Sequence, residues 1–204
     1  MNILFDLGHA AHFHLFKNLI VELENSGHQV TVTSRDKPYL LDLLNNAGIK
    51  HICLSKPGRN ILSLFSEWLK RTYKIIRLNR KMKFHLAIGT SVSISYLSLL
   101  SKTISINVQE DDDSVVPLHV LLAYPFSSYI LNPHFLKFRL FRSKRILHKS
   151  LHEMAYLSNL RFSPNIDVVR KYRLQPFEYI LLRKVSFNAH HDINQSGLST
   201  RHIA

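Results

Sequence analysis

Cysteine is nearly absent from this sequence: Cys53 is the only one among 204 residues. A single cysteine excludes a disulfide within the chain and any zinc site built mainly from thiolates. Because Cys53 lies in an apolar stretch, residues 51–54, we interpret it as a small core residue.

Acidic residues are also scarce. The chain has 14 Asp and Glu against 27 Lys and Arg, which gives a formal net charge of +13 at pH 7. A charge of this size favours anionic partners such as nucleic acid, anionic lipid or phosphorylated small molecules. No helix-turn-helix, zinc-finger or RNP-type aromatic pattern is present, so we expect no nucleic acid partner.

Long apolar runs are missing as well. The longest weakly polar stretch, residues 86–106, contains several serines and Lys102, which is too polar for a transmembrane helix. The first residues, MNILFDLGHAA, have neither the basic segment nor the apolar run of a signal peptide. These features predict a cytoplasmic protein.

Short apolar runs alternate with amphipathic segments over the first 131 residues. This alternation predicts an α/β fold with a Rossmann-like, doubly wound parallel sheet. The predicted strands are residues 2–7, 28–33, 49–54, 84–88, 103–108 and 128–131. The predicted helices are residues 12–25, 39–46, 60–82, 92–100 and 115–123.

The pattern loosens after residue 132. Residues 161–174 predict a loop followed by a short helix, and Gln175-Pro176 is a plausible linker. Residues 178–184 (EYILLRK) predict an apolar strand. We therefore predict an N-terminal Rossmann-like domain over 1–175 and the truncated start of a second, C-terminal Rossmann-like domain over 176–204.

The segment FDLGHAAHFHLFKNL places Gly8 and three histidines directly after the first predicted strand. In such sheets this edge binds ligands, and the helix that follows offers unpaired N–H groups and a positive dipole end. The spacing matches neither GxGxxG nor HExxH, so we predict neither a dinucleotide fingerprint nor a metal site. The candidate residues are Gly8, His9, His12 and His14; that one or two of these imidazoles only cap the turn stays open.

Four consecutive acids follow the fifth predicted strand in the segment QEDDDS. They form either a solvated acidic loop or a substrate-binding loop whose carboxylates bind sugar hydroxyls or act as a general base. Asp112 is the candidate base; the candidate ligands for substrate are Glu110, Asp111 and Asp113.

The segment VSFNAHHDINQSGLS, residues 185–199, again combines histidines, amides and a glycine after a predicted strand. Its candidate substrate-binding residues are Asn188, His190 and His191. A plain exposed loop is the alternative interpretation.

Nine basic residues and a single acid, Glu67, occupy residues 56–83. This pattern is typical of an amphipathic basic helix that lies on an anionic membrane, with contacts from Lys70, Arg71, Lys74 and Arg77. The alternative is a core-packing helix with a solvated basic face. A second basic stretch, FLKFRLFRSKR at 135–145, has a phenylalanine at every third position over its first seven residues. Together the two stretches suggest a partner that is anionic at one end and apolar at the other, such as a lipid-linked phosphate.

Four stretches in order resemble one protein family. They are GHAAHFHLFKNLIVELENSGHQVTVTSRDK, EDDDSVVPLHVLLAYPFSSYILNP, LHEMAYLSNLRFSP and YILLRKVSFNAHHDINQSGLS. They resemble family 354 of the domains of unknown function, which is grouped by fold with the B-type glycosyltransferases and the UDP-N-acetylglucosamine 2-epimerases. Family members usually have a proline where this chain has Ala10.

The resemblance implies two Rossmann-like domains that face each other across a cleft. The N-terminal domain would mostly hold the acceptor, and the C-terminal domain the nucleotide-sugar donor. Gly8, His9, His12 and His14 would line the cleft. Because family members run well beyond 200 residues, we expect this chain to be a truncated product or fragment that is inactive alone.

The expected activity is transfer of a sugar from a nucleotide-sugar donor to a lipid-linked acceptor in cell-envelope polysaccharide synthesis. His12, His14 or one of the carboxylates at 110–113 would deprotonate the acceptor hydroxyl, with no cofactor and no obligatory metal. We expect a cytoplasmic protein that is peripheral on the inner face of the membrane. The alternatives are a nucleotide-sugar epimerase, a non-enzymatic module that binds a membrane or a partner, and a metal-dependent hydrolase.

Overall fold

The structure is a computed structural model that describes residues 1–58 and 60–181. The chain divides into two compact units, Met1–Arg161 and Phe162–Ala204. The predicted domain boundary at 175/176 falls inside the second unit and stays a prediction.

A seven-stranded sheet forms the centre of the first unit, with strand order β3-β2-β1-β4-β5-β6-β7. Every neighbouring pair of strands is parallel. The predicted doubly wound parallel sheet is therefore confirmed. The strands are β1 (Asn2–Leu7), β2 (Gln29–Arg35), β3 (His51–Ser55), β4 (Leu86–Gly89), β5 (Ile104–Val108), β6 (Tyr129–Pro133) and β7 (Arg145–His148).

Helices cover both faces of this sheet, and β1 contributes apolar side chains alternately to the two cores that lie between the sheet and these helices. Phe5 packs in the core beneath the first two helices, while Leu4 packs in the core beneath the third and fourth. The helices of the first unit are α1 (Ala10–Asn25), α2 (Pro38–Asn46), α3 (Ile61–Met82), α4 (Val92–Leu100), α5 (Pro117–Ala123) and α6 (Met154–Leu157). In the second unit the structure describes α7 (Ile166–Lys171).

Local sequence explains where several helices begin and end. Gly27 and Gly48 adopt positive φ angles of 79° and 67° directly after α1 and α2, a conformation that glycine adopts most readily. At the start of α3, Asn60 accepts a hydrogen bond from the Ser63 N–H, and the Ser63 side chain accepts one from the Asn60 N–H. This reciprocal cap satisfies two amide groups that the helix leaves unpaired.

Three sequence-based expectations differ from the structure. Strand β7 went unpredicted, because it is a four-residue edge strand that begins with an arginine. Residues 178–181 of the predicted strand at 178–184 are not extended into a strand, and the remainder lies outside the described residues. Cys53 is exposed, because β3 is the other edge of the sheet.

The topology places a switch point between β1 and β4. The chain moves outward from β1 to β2 and β3, and α3 then returns it to β4 on the other side of β1. In open parallel sheets, ligands bind outside the carboxyl ends of the strands at this point. We therefore expect a ligand-binding site at the carboxyl ends of β1 and β4.

Gly89, at the end of β4, generates our first prediction. A β-carbon at this position would lie 2.7 Å from the carbonyl oxygen of Asp6, on the paired strand. We expect Gly89→Ala to lower the free energy of unfolding by about 1–3 kcal/mol, because the two strands would have to separate. Urea denaturation measures this loss.

Gly8→Ala is the matched control, because a β-carbon at Gly8 would have its nearest neighbours at 3.8 Å. Its effect on stability should stay within about 0.5 kcal/mol. Equal losses in the two variants would contradict the prediction.

Candidate functional site

A buried ion pair lies beneath the switch point. Asp6, at the carboxyl end of β1, pairs with Arg71 of α3, and the two side chains are 0% and 2% exposed. The same carboxylate accepts hydrogen bonds from the Thr33 hydroxyl at 2.6 Å and the Ser91 hydroxyl at 2.5 Å. Asp6 thus joins the ends of β1, β2 and β4 to α3.

The network continues from Arg71 towards the edge strand β3. Arg71 donates to the Ser34 carbonyl oxygen at 3.1 Å and to the Ser55 hydroxyl at 2.9 Å. Ser55 in turn donates to Glu67, whose carboxylate also receives two hydrogen bonds from Arg35. Each of the two carboxylates is therefore neutralised by its own arginine.

Arg71 decides the charge state of Asp6. Burial alone would raise the pKa of this carboxyl group, but the guanidinium of Arg71 and the hydroxyls of Ser91 and Thr33 outweigh it and lower the pKa below its usual range. Asp6 is consequently ionised at neutral pH, and the ion pair is a fixed part of the site.

His12 lies above this network, in the first turn of α1. Its Nδ1 atom accepts a hydrogen bond from the Gly8 N–H at 3.1 Å. A neutral imidazole that accepts at Nδ1 carries its proton on Nε2. The Thr90 hydroxyl lies 2.9 Å from each ring nitrogen. The ring thus connects the turn after β1 to the turn after β4 and presents an N–H group.

Burial keeps His12 uncharged. It lowers the pKa of His12 to about 3, with a smaller contribution from the nearby His9. Desolvation disfavours the charged form of an imidazole, so His12 is neutral at physiological pH. In this tautomer His12 has one N–H donor, on Nε2 and within reach of the Thr90 hydroxyl, and its Nδ1 lone pair is already occupied.

The neighbours of this turn are cationic. Gly8 lies against the side chain of Arg35. Burial lowers the pKa of His9, and the positive charge of the nearby Lys37 lowers this pKa further. The first turns of α1 and α4 lie at the same edge and add their positive dipole ends. With Asp6 and Glu67 both paired, the electrostatics of the turn favour an anionic ligand.

His9 and His14 have other surroundings. The His9 side chain accepts from the Ala11 N–H at 3.2 Å and so caps α1, as one of the open interpretations predicts. His14 packs against Tyr156 of α6, with 5.2 Å between ring centroids. His14 is two residues from His12 and therefore lies on a different face of α1. Gly8, His9 and His12 are brought together at the turn after β1; His14 is not part of that cluster.

The four acids after β5 have different surroundings. Asp112 accepts from the Lys137 N–H at 2.7 Å. Asp113 binds Arg145 through both carboxylate oxygens, at 2.7 and 2.9 Å. These contacts hold the segment after β6 in place, so both residues have an evident structural role. Asp111 is exposed.

Glu110 has a different partner. Its carboxylate lies 3.1 Å from Nδ1 of His152, a residue that follows β7. Burial raises the pKa of Glu110, and burial also lowers that of His152 to about 4. His152 lines a groove of about 640 Å³ beside α1, and its Nε2 atom is buried with no hydrogen-bond partner among the described residues.

One predicted contact residue needs correction. Arg71 was expected to face an anionic membrane, but it is buried in the ion pair with Asp6 and cannot reach a membrane surface. Lys70, Lys74 and Arg77 are exposed on α3. The candidates Asn188, His190 and His191 lie outside the described residues.

Several residues at this edge were not predicted from the sequence. Besides the ion-pair network and Thr90, His119 of α5 lies 2.9 Å from the side-chain oxygen of Asn107 on β5, and burial lowers the pKa of His119 to about 4. A polar residue at the end of an apolar strand, as Asp6 and Asn107 both are, was the available signal. Within the described ranges, no group of three His, Cys, Asp or Glu side chains is arranged to hold a metal ion. Nor does any described helix combine the length and apolarity that crossing a bilayer requires.

Comparison with known proteins gives a family and a fold. A family model described as "Protein of unknown function (DUF354)" matches residues 1–138. No curated protein matches the chain.

Solved structures show the same fold at low sequence identity. The UDP-GlcNAc 2-epimerase from Methanocaldococcus jannaschii has a TM-score of 0.59 and 15% identity, over 85% of this chain and 52% of that one. MurG from Acinetobacter baumannii has a TM-score of 0.58 and 12% identity, over 72% of this chain and 45% of that one. A glycosyltransferase from Rickettsia africae has a TM-score of 0.57 and 13% identity, over 85% and 50%. The chain thus has a Rossmann-like fold of the GT-B type and spans about half the length of these proteins.

The ion pair gives a prediction on stability. Arg71→Met would leave the Asp6 carboxylate buried without its counter-ion, and we expect a loss of about 3–5 kcal/mol in the free energy of unfolding. Lys70→Met, one residue earlier and exposed, is the matched control and should change stability by less than about 0.5 kcal/mol. Denaturant titrations of both variants measure the two free energies of unfolding. If Arg71→Met lost no more stability than Lys70→Met, a stabilising role for the ion pair would be refuted.

The tautomer of His12 gives a third prediction. Nitrogen-15 spectra of the imidazole should show the proton on Nε2 at pH 7 and titration near the pKa of about 3, rather than near 6.5. Since the unfolded state takes up this proton first, stability should fall as pH decreases from about 6.5 towards 3. His12→Asn should reduce this slope. A proton on Nδ1, or titration near 6.5, would contradict the assigned hydrogen bond.

Proposed function

This chain belongs to the DUF354 family, and from that premise we propose that the turn after β1 takes part in sugar transfer from a nucleotide-sugar donor. The observation that carries this proposal is the turn after β1: Gly8, His9 and His12 lie at the switch point beside Arg35 and Lys37. Such a turn suits a ligand that combines hydroxyl groups with phosphate charge.

Each residue has a proposed role in binding. The Nε2–H of His12, which lies 2.9 Å from the Thr90 hydroxyl, is shared between that hydroxyl and a sugar or phosphate oxygen. Lys37 and the amide groups at the starts of α1 and α4 neutralise phosphate charge. Asp6 and Arg71 are positioning residues that act through Ser91 and do not touch the ligand.

The base that deprotonates an acceptor hydroxyl is a separate question. His12 is less suited to this role in the tautomer that this hydrogen bond assigns, because the Gly8 N–H occupies its Nδ1 atom. Glu110 and His152 form a carboxylate–imidazole pair in which the imidazole proton would lie on Nδ1, which leaves Nε2 able to accept a proton. We propose this pair beside the earlier candidates His14 and Asp112.

The remaining features of the proposal concern the whole protein. The matching structures are about twice as long as this chain, and we propose that a second domain completes the donor site that begins at this turn. The acceptor we propose is a lipid-linked precursor of a cell-envelope polysaccharide, used by a cytoplasmic enzyme that reaches the membrane from its inner face. The basic charge of the chain supports an anionic acceptor of this kind.

A nucleotide-sugar epimerase is the second candidate, since one of the matching folds is a UDP-GlcNAc 2-epimerase. An epimerase converts its substrate without any acceptor. Incubating a longer family member with UDP-N-acetylglucosamine alone and following the anomeric proton signals separates the two: a new sugar nucleotide indicates epimerisation, and dependence on an added acceptor indicates transfer.

Ligand binding by the chain itself tests the proposed site. Titration with UDP-N-acetylglucosamine and other nucleotide sugars should shift the amide signals of Gly8, His12 and Thr90. His12→Ala should weaken binding roughly tenfold or more, because a hydrogen bond to a charged ligand is lost. His28→Ala, at the amino edge of the sheet, is the control and should bind like the wild type. If no nucleotide sugar shifts these signals, the proposed site is wrong.

A further inference from the structure

The outer face of α3, α4 and α5 exposes an unusual amount of apolar surface. At the start of α3, Ile61 and Leu62 are each 82% exposed, and Leu118 at the start of α5 is 72% exposed. We define the apolar helical face by six exposed residues of α3 and α5: Ile61, Leu62, Phe65, Leu69, Leu118 and Leu121. Apolar side chains in such a cluster mark an interaction surface, whereas single ones are ordinary.

Aromatic contacts make this face continuous across the three helices. Phe65 packs on Trp68 with 5.4 Å between ring centroids, and Trp68 packs on Tyr96 of α4 at 6.0 Å. Tyr96 then donates its hydroxyl to the Leu122 carbonyl oxygen in α5 at 3.0 Å. The exposed residues of α3 and α5 are therefore parts of one surface. It adjoins the candidate site, because both helices begin at the carboxyl edge of the sheet.

The charge around the apolar helical face is mainly positive. The only acid of α3, Glu67, is buried and paired with Arg35, so the exposed surface of this helix carries cations without acids. Lys70 and Arg77 lie on its exposed side. Beyond α5, a groove of about 980 Å³ is lined by Lys137, Arg139 and Arg142 together with apolar side chains, and its one acid, Asp113, is paired with Arg145.

These charges favour one occupant over another. A second copy of this chain would bring a further +13 formal charge against the same cations, which opposes self-association through this face. An anionic bilayer offers both complements, because apolar side chains enter the boundary between headgroups and acyl chains while lysine and arginine contact the headgroups. We propose that the apolar helical face docks the protein onto an anionic membrane surface, with the carboxyl edge of the sheet near the bilayer.

Docking of this kind deepens the proposed function, because it would bring the candidate site to a lipid-linked acceptor. Only the biological purpose of the docking rests on the proposed function; the membrane binding itself does not. Membrane binding is measured without nucleotide, sugar or turnover, so its failure would leave the nucleotide-sugar result unaffected, and the reverse also holds.

The test is flotation of the chain with lipid vesicles. We expect binding to phosphatidylcholine vesicles that contain about one third phosphatidylglycerol, and weak binding to pure phosphatidylcholine. Leu62→Ser/Phe65→Ser should reduce the bound fraction by roughly tenfold, since two exposed apolar side chains are removed. Lys70→Glu/Arg77→Glu should reduce it by a similar factor, and rising salt should weaken wild-type binding.

Matched controls lie elsewhere on the first unit. Val21→Ser changes an exposed apolar residue of α1, which covers the other face of the sheet, and Lys50→Glu reverses a charge on the exposed loop before β3. Neither should alter flotation by more than about twofold. Circular dichroism and thermal melting confirm that each variant is folded.

Three outcomes would overturn the proposal. The first is equal binding of the wild type and the two face variants. The second is no preference of the wild type for anionic vesicles. The third is a concentration-dependent dimer, abolished by Leu62→Ser/Phe65→Ser, in a protein that does not bind vesicles; the face would then join copies of the chain.

Discussion

The buried pair of Asp6 and Arg71 is the interaction on which this end of the molecule depends. Asp6 stands where β1 ends, and its carboxylate holds Thr33 of β2 and Ser91 after β4 as well as Arg71 of α3. Because an unpaired buried charge is strongly destabilising, the fold is stable only when β1, β2, the end of β4 and α3 are arranged so that this pair forms. Gly89 permits that meeting, because any side chain there would collide with the Asp6 backbone.

The same pair shapes the chemistry above it. Since Asp6 is satisfied by Arg71 and two hydroxyls, and Glu67 by Arg35, neither of these two carboxylates is left to repel a phosphate. Burial keeps His12 neutral, and the Gly8 N–H selects its tautomer. A basic rim, a neutral donor and two helix starts make an environment for an anionic, hydroxyl-rich ligand, which agrees with a Rossmann-like fold of the GT-B type.

Basic residues of one helix serve unrelated purposes. Arg71 lies inside and neutralises a carboxylate, whereas Lys70 and Arg77 lie outside and leave the apolar helical face with a cationic border. The sequence pattern of α3 admitted both a membrane-facing helix and a core-packing helix. The structure shows core packing for Arg71 and leaves the membrane-facing role of the other cations a proposal, because a helix of 22 residues presents different residues to the core and to solvent.

The amino-acid sequence by itself determined the alternation of strands and helices, the parallel sheet and the position of the Gly8 turn, because hydrophobic periodicity and glycine placement are local properties. It also brought out Gly8, His9 and His12 together. Only the tertiary structure decided that Arg71 pairs with Asp6, that Thr90 touches His12, and that Asp112 and Asp113 support a neighbouring segment. These contacts join residues that lie 65, 78, 25 and 32 positions apart, and no local pattern encodes which distant side chain fills a buried space.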